Sequence, residues 1–168
     1  MAHGKKWKWP HWRRQDVVHA ARTTAAARIS LEIANLLKLP EPYWAAITTL
    51  IVMQSTLGAA LTISEHRFAG TALGAGLGAL IATYFAPNVV WFAVGAFLLG
   101  IICSAIGLDR AAYRFAGVTL AIVLLVSRAK PAWVIAVHRF VEVSVGIVVG
   151  LILTALWPGE DAAPTGGQ

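Results

Sequence analysis

Polar and apolar positions along this chain fall into blocks rather than into a short alternation. Three stretches contain no Asp, Glu, Lys or Arg: residues 42–64, 68–108 and 143–159. A helix rises about 1.5 Å per residue and the hydrocarbon of a bilayer is about 30 Å thick, so one crossing takes roughly 20 apolar residues. The second stretch is long enough for two crossings, and Ala86-Pro87-Asn88 marks a tight turn between them. The blocks predict six helices. The first, over 16–37, is the least apolar and carries His19, Arg22, Arg28, Glu32 and Asn35. The others are expected over 43–60, 66–85, 89–107, 111–126 and 132–157, the last entering the membrane after Arg139. Leu39-Pro40-Glu41-Pro42 and the segment ending at Lys130-Pro131 are the breaks. The expected fold class is an all-α membrane protein with six transmembrane helices.

Composition strengthens this reading. Apolar residues make up 58% and charged residues 13%, with a mean hydropathy of +0.68, whereas soluble domains have about 45–50% apolar and about 25% charged residues. The net charge of +6 does not make nucleic acid a partner. Five of the fourteen basic residues lie in the first fourteen positions, and the rest separate apolar blocks, a pattern that orients a protein in a membrane. Residues 1–15 form a basic tail with Trp7, Trp9 and Trp12, suited to the headgroups of a cytoplasmic leaflet. Residues 16–158 form the membrane domain, and 159–168 a disordered tail. With the N-terminus inside, Lys5, Lys6, Lys8, Arg13, Arg14, Arg67, Arg110 and Arg114 are cytoplasmic, against Lys38, Arg128 and Lys130 outside. Both termini are thus expected in the cytoplasm, with the chain in the inner (plasma) membrane. Cys103 is alone, so no internal disulfide forms.

A repeat runs through the sequence. His66-Arg67-Phe68 recurs 72 residues later as His138-Arg139-Phe140, and Gly74 and Gly78 recur as Gly146 and Gly150. At an offset one residue shorter, the run from Ile47 through Thr48 to Val52 recurs from Val118 through Thr119 to Val123. Each unit would hold three helices, and an odd number inverts the second unit in the membrane. Inverted repeats of this kind place a transport site at the repeat interface near the midplane. Arg67 and Arg139 are then expected to lead their helices into the bilayer from opposite sides, and a basic residue at a helix N-terminus favours an anion.

The chain resembles a known family at several of these positions. Pro42-Tyr43-Trp44-Ala45, Thr48, Gln54 and Arg67-x-x-Gly70-Thr71-x-x-Gly74 in the first part are similar to the fusaric acid resistance and aromatic acid exporter family. Tyr113-Arg114, Thr119, Arg139-x-x-Glu142-x-x-x-Gly146 and Trp157-Pro158 agree in the second part. Plant aluminium-activated malate transporters are more distant relatives. The resemblance covers about residues 18–158. It implies an inner-membrane transporter or channel for organic anions, often aromatic carboxylates. Typical exporters carry a second membrane half and soluble domains. A single six-helix unit therefore points to a partner, most simply a second copy in a homodimer.

Arg67 and Arg139 are the first candidates for contact with an anion, with His66 and His138 as protonatable neighbours. The alternative is that both arginines reach the headgroups. Arg28 and Glu32 are four residues apart and can pair. A charge at mid-helix costs about 2.5–3.5 kcal/mol on insertion scales, so Arg28 is expected either to be neutralised by Glu32 or to line the path. Arg22 is expected near the cytoplasmic mouth. Glu142 is expected to orient Arg139, the bolder reading being a proton-coupling carboxylate. Gly70, Gly74, Gly78, Gly146 and Gly150 form small-residue stripes for helix packing. Tyr43 and Trp44 are interfacial anchors or a stacking surface for an aromatic substrate. Thr48, Thr49, Gln54 and Thr119 line the path or bond between helices.

No metal-ligand spacing, nucleophile–base pair or phosphate-binding loop occurs, so neither metal, cofactor nor enzymatic activity is expected. Transport would be passive or driven by an ion gradient. The alternative function is a non-transporting membrane subunit or an assembly factor of a larger complex. Efflux of cationic drugs fits less well, because Glu32 and Glu142 each have an arginine nearby.

Overall fold

The computed structural model describes residues 14–54, 56–126 and 130–157. Most of the basic tail, with its three tryptophans, and the C-terminal tail lie outside them. Among the described residues the chain is entirely helical: α1 (Arg14–Leu36), α2 (Tyr43–Val52), α3 (Leu57–Tyr84), α4 (Val89–Ala105), α5 (Arg110–Ala121) and α6 (Ala132–Leu156), with a π-helical segment, Ile122–Val126, continuing α5. Local chemistry sets the helix ends. Pro42 and Pro131 stand immediately before α2 and α6, and Thr56, Asn88 and Asp109 accept backbone N–H bonds at the starts of α3, α4 and α5. Lys38, at φ 53°, follows the end of α1 in the left-handed conformation that often closes helices.

Two expected boundaries are corrected. The second helix stops at Val52, not at 60, and the third begins at Leu57, not at 66. Met53 is extended, and the Thr56 hydroxyl starts the new helix by accepting from the Ala59 N–H at 3.3 Å. No charged residue marks this break, but the polar run Gln54-Ser55-Thr56 falls on it within the uncharged stretch. Arg67 therefore sits well inside α3 rather than at a helix N-terminus or in a cytoplasmic loop, and Arg139 sits two turns into α6. The idea of an anion held by helix N-termini at these arginines does not survive. Arg67 also drops out of the count of loop charges.

The helices differ in their capacity to cross a bilayer. Among the described residues only Ala132–Leu156 is both long and apolar enough to do so by itself. Tyr43–Val52 and Val89–Ala105 are apolar but shorter, and the 10 residues of α2 extend only about 15 Å.

The packing falls into two matched arrangements. α3 lies along α5, α6 lies along α2, and α3 and α6 cross each other at the centre. α1 covers α2 and α6, while α4 covers α5 and touches α3. Glycine governs the close packing of α3 on α5 and of α6 on α2. A β-carbon on Gly74 would strike the Ala116 carbonyl, and one on Gly146 would strike the Ala45 carbonyl and Thr48. Gly74 and Gly146 are the pair separated by 72 residues, and Ala45 and Ala116 differ by 71. Small residues bring the backbones together here, as they do where lipid rather than water surrounds helices. Apolar cores flank the crossing: Ile81, Leu99, Leu120 and Leu124 on one side, and Val52, Ala60, Val143 and Ile147 on the other. Outward faces are strongly apolar, as at Val89, Val90, Phe97 and Ile101 of α4.

Candidate functional site

The crossing of α3 and α6 buries two arginines in the interior. Arg67 is 7% exposed and Arg139 is 3% exposed, so neither reaches outward to the headgroups. The next residue on each helix, Phe68 and Phe140, meets its counterpart with ring centroids 4.9 Å apart. Each guanidinium lies over an aromatic ring from the partner helix. Arg67 is 4.9 Å from the centroid of Phe115, and Arg139 is 3.6 Å from that of Trp44. Such contacts strengthen as water is excluded, to about 2 kcal/mol. Trp44 and Phe115 are themselves 71 residues apart.

The two arginines differ in their polar partners. Arg67 donates from Nε and Nη2 to the Thr48 hydroxyl, at 3.2 and 3.0 Å. Thr48 donates onward to the Trp44 carbonyl at 2.8 Å. Among the described residues no carboxylate lies within ion-pair distance of Arg67. Arg139, in contrast, stands between two acids. Its Nη1 is 3.4 Å from Glu142 and its Nη2 is 3.8 Å from Glu41. Glu142, 1% exposed, also accepts the Glu41 backbone N–H at 3.0 Å. Nε and Nη2 of Arg139 are buried and make no hydrogen bond to the described residues.

Both guanidiniums line one small cavity of about 20 Å³, together with Trp44, Thr71, Phe115, Val118, Thr119, Ile122 and Val143. That is room for about one water molecule. Arg139 also lines a second, larger vestibule of about 230 Å³ with Pro40, Glu41, Lys130, Ile135, His138 and Glu142. Arg139 is thus common to both cavities, whereas Arg67 lines only the smaller one, called the inner cavity below. Two other depressions, one along α4 and α5 and one at the α3–α4 turn, have no charged side chain in their walls.

The remaining predicted residues divide. Trp44 and Thr119 line the cavity, Thr48 reaches it only through its bond with Arg67, and the Thr119 hydroxyl is turned back onto the Phe115 carbonyl at 3.0 Å. His138 lines the vestibule. His66 lies instead 4.0 Å from Asp109, at the start of α5. Tyr43 is half exposed, its ring tilted against Trp44. Arg28 and Glu32 do pair, at 2.7 Å, but on an exposed face of α1, and Arg28 is outside both cavities. Arg22, expected at a mouth, is buried and donates to the Gln54 carbonyl at 2.6 Å, in the break after α2. Gly70, Gly78 and Gly150 line the crossings beside Phe115, Val123 and Val52. No group of His, Cys, Asp or Glu suited to a metal occurs among the described residues.

Sequence reasoning passed over Glu41, Phe115 and Lys130. Glu41 was legible as the single acid in a proline-flanked break, and Phe115 as the residue 71 positions after Trp44.

The profile of the family described as fusaric acid resistance protein-like matches residues 29–153. The uncharacterized transporter YdhK of Escherichia coli (strain K12) is 34% identical over 159 residues, which cover 86% of this chain and 23% of YdhK. YdhK of Salmonella typhimurium is 33% identical over 150 residues, covering 83% of this chain and 22% of its own. The inner membrane protein YeeA of Escherichia coli (strain K12) is 30% identical over 158 residues, covering 88% of this chain and 42% of YeeA. The chain thus spans less than half the length of these relatives. No solved structure matches it.

Proposed function

Because the chain belongs to the fusaric acid resistance protein-like family, we propose that it forms the anion-passing unit of an inner-membrane transporter or channel for small organic anions, aromatic carboxylates among them. The observation that carries this reading is the pair of buried arginines on one cavity, each stacked on a ring. Burying a cation in an apolar interior is costly. An anion path accounts for two of them side by side. A carboxylate entering the vestibule meets Arg139, flanked by Glu41 and Glu142, first and the acid-free Arg67 next. The smaller cavity has room for about one water, too little for a carboxylate, so passage requires the two arginine-bearing helices to separate.

The proposed architecture is an inverted repeat, with α1–α3 and α4–α6 as its units. It is supported by the matched crossings at Gly74 and Gly146, and by the matched stacking of the arginines. Phe68 and Phe140, equivalent in the repeat, touch each other, as residues on a two-fold axis do. The break after Val52 and the π segment from Ile122 fall at nearly the same place in each unit. Interrupted helices in corresponding halves mark transport sites. In this arrangement both termini are cytoplasmic, the vestibule opens to the outside, and the apolar outer faces meet lipid and a second copy.

The test is uptake of radiolabelled benzoate and of aliphatic carboxylates by proteoliposomes containing the purified protein. Arg67→Gln and Arg139→Gln are each expected to lower uptake at least tenfold, the scale of one lost charge-assisted contact. Uptake equal to the native rate in both variants would sink the reading.

A further inference from the structure

Arg139 faces two acids that are held in different ways. Glu142 is fixed. It lies three residues further along the same helix, is almost fully buried, and is tied to the Glu41 backbone N–H. Glu41 is not fixed in this way. It stands in the non-helical connection between α1 and α2, and its side chain is 37% exposed on the wall of the vestibule. Its Oε2 stops 3.8 Å from Nη2 of Arg139, inside ion-pair range but beyond a hydrogen bond. The same oxygen accepts from the indole N–H of Trp44 at 3.0 Å, which holds the carboxylate short of the guanidinium.

The consequence is an unused edge. Nε and Nη2 are the two donors that receive a carboxylate side by side. Arg67 gives that edge to Thr48. On Arg139 the same two atoms are buried without a hydrogen-bond partner, although a carboxylate stands at the vestibule beside them. A buried charged donor left without an acceptor is unfavourable, and a ligand carboxylate would remove that cost.

We propose that Glu41 is a tethered competitor at Arg139. Its carboxylate balances the guanidinium while the vestibule is free of substrate, and it gives way to an incoming carboxylate, which takes Nε and Nη2 together. This inference rests on the anion reading given above. It applies to one half of the protein only. At the repeat offsets, Glu142 corresponds to Gly70 and Glu41 to Ala112, so Arg67 has neither acid. The vestibule end therefore selects anions that displace a glutamate, and the inner arginine passes them on. Lys130 lines the same vestibule, whose other charges are Arg139, Glu41 and Glu142.

The experiment compares benzoate uptake kinetics of the native protein with those of Glu41→Gln, which keeps the side-chain volume and an acceptor for Trp44. The apparent KM is expected to fall about fivefold, the scale of one partly exposed ion pair. A merely structural role would lower the rate or the yield of folded protein and would not tighten binding. Trp44→Phe frees Glu41 to close on Arg139. It is expected to raise KM in the native background and to raise it much less in the Glu41→Gln background, a coupling that a double-mutant cycle reads directly. An unchanged or higher KM in Glu41→Gln, with native uptake intact, overturns the competitor and leaves the anion reading in place. Absence of both uptake and equilibrium benzoate binding in native and Glu41→Gln proteins, each monodisperse, overturns the anion reading and the competitor with it.

Discussion

Arg67 on α3 places two donors on the single hydroxyl oxygen of Thr48 on α2, at 3.2 and 3.0 Å. A buried guanidinium is thereby oriented by a neutral group, and its charge stays available. Thr48→Val keeps the shape and removes the acceptor. We expect it to cost about 1.5–3 kcal/mol, the range for hydrogen bonds to charged groups, seen as a lower melting temperature in detergent. Thr48→Ser is expected to restore most of the loss. Equal melting of Thr48→Val and native protein would mean that Arg67 finds another acceptor.

The crossings at Gly74 and Gly146 tolerate no side chain, because a β-carbon meets the carbonyls of Ala116 and Ala45. Gly74→Leu and Gly146→Leu are each expected to destabilise by about 1–3 kcal/mol or to prevent folding, as overpacked cores do. Gly76 is on the same helix with nothing within 4 Å of an added β-carbon. Gly76→Ala is expected to melt at or slightly above the native temperature, since alanine is the better helix former by about 0.5–1 kcal/mol. Size-exclusion profiles after graded heating separate these outcomes.

Arg22 donates to the Gln54 carbonyl across the break between α2 and α3. Carbonyls at an interrupted helix need a partner wherever water is excluded. Arg22→Met is expected to leave that carbonyl unpaired and to speed amide hydrogen exchange over residues 53–60, with little change in α6. Exchange unchanged over this segment would show that the break holds itself.

Hydropathy made the helices legible, and the repeat of His-Arg-Phe with its glycines picked out the two arginines that the fold brings to one cavity. Position within the helices was not legible. The run 43–60 is uncharged, and its polar triplet Gln54-Ser55-Thr56 was passed over as a break; the backbone turn at Met53 and the Thr56 cap show where one helix ends and the next begins. That shift moved Arg67 from a helix start into the interior. Arg28 and Glu32 satisfy the spacing rule for a pair, and they do pair. Their spacing does not tell which face of α1 they occupy, and the face is an exposed one. Trp44 and Glu41 were legible as an aromatic and an acid near a proline break, but their contact with Arg139 joins residues far apart in sequence.

The sequence by itself determined that the chain is helical, that its helices are apolar, and that two arginine–glycine segments recur at a fixed offset. Composition and periodicity are local properties and survive without knowledge of the partners. The tertiary structure decided which groups each arginine meets: a hydroxyl for Arg67, and two carboxylates and an indole for Arg139. Gly146 permits the close approach of α6 to α2 that accompanies the Arg139–Trp44 contact, and Gly74 that of α3 to α5 which accompanies the Arg67–Phe115 contact. A guanidinium's charge balance depends on distances of a few ångströms between helices, a quantity that sequence spacing does not contain.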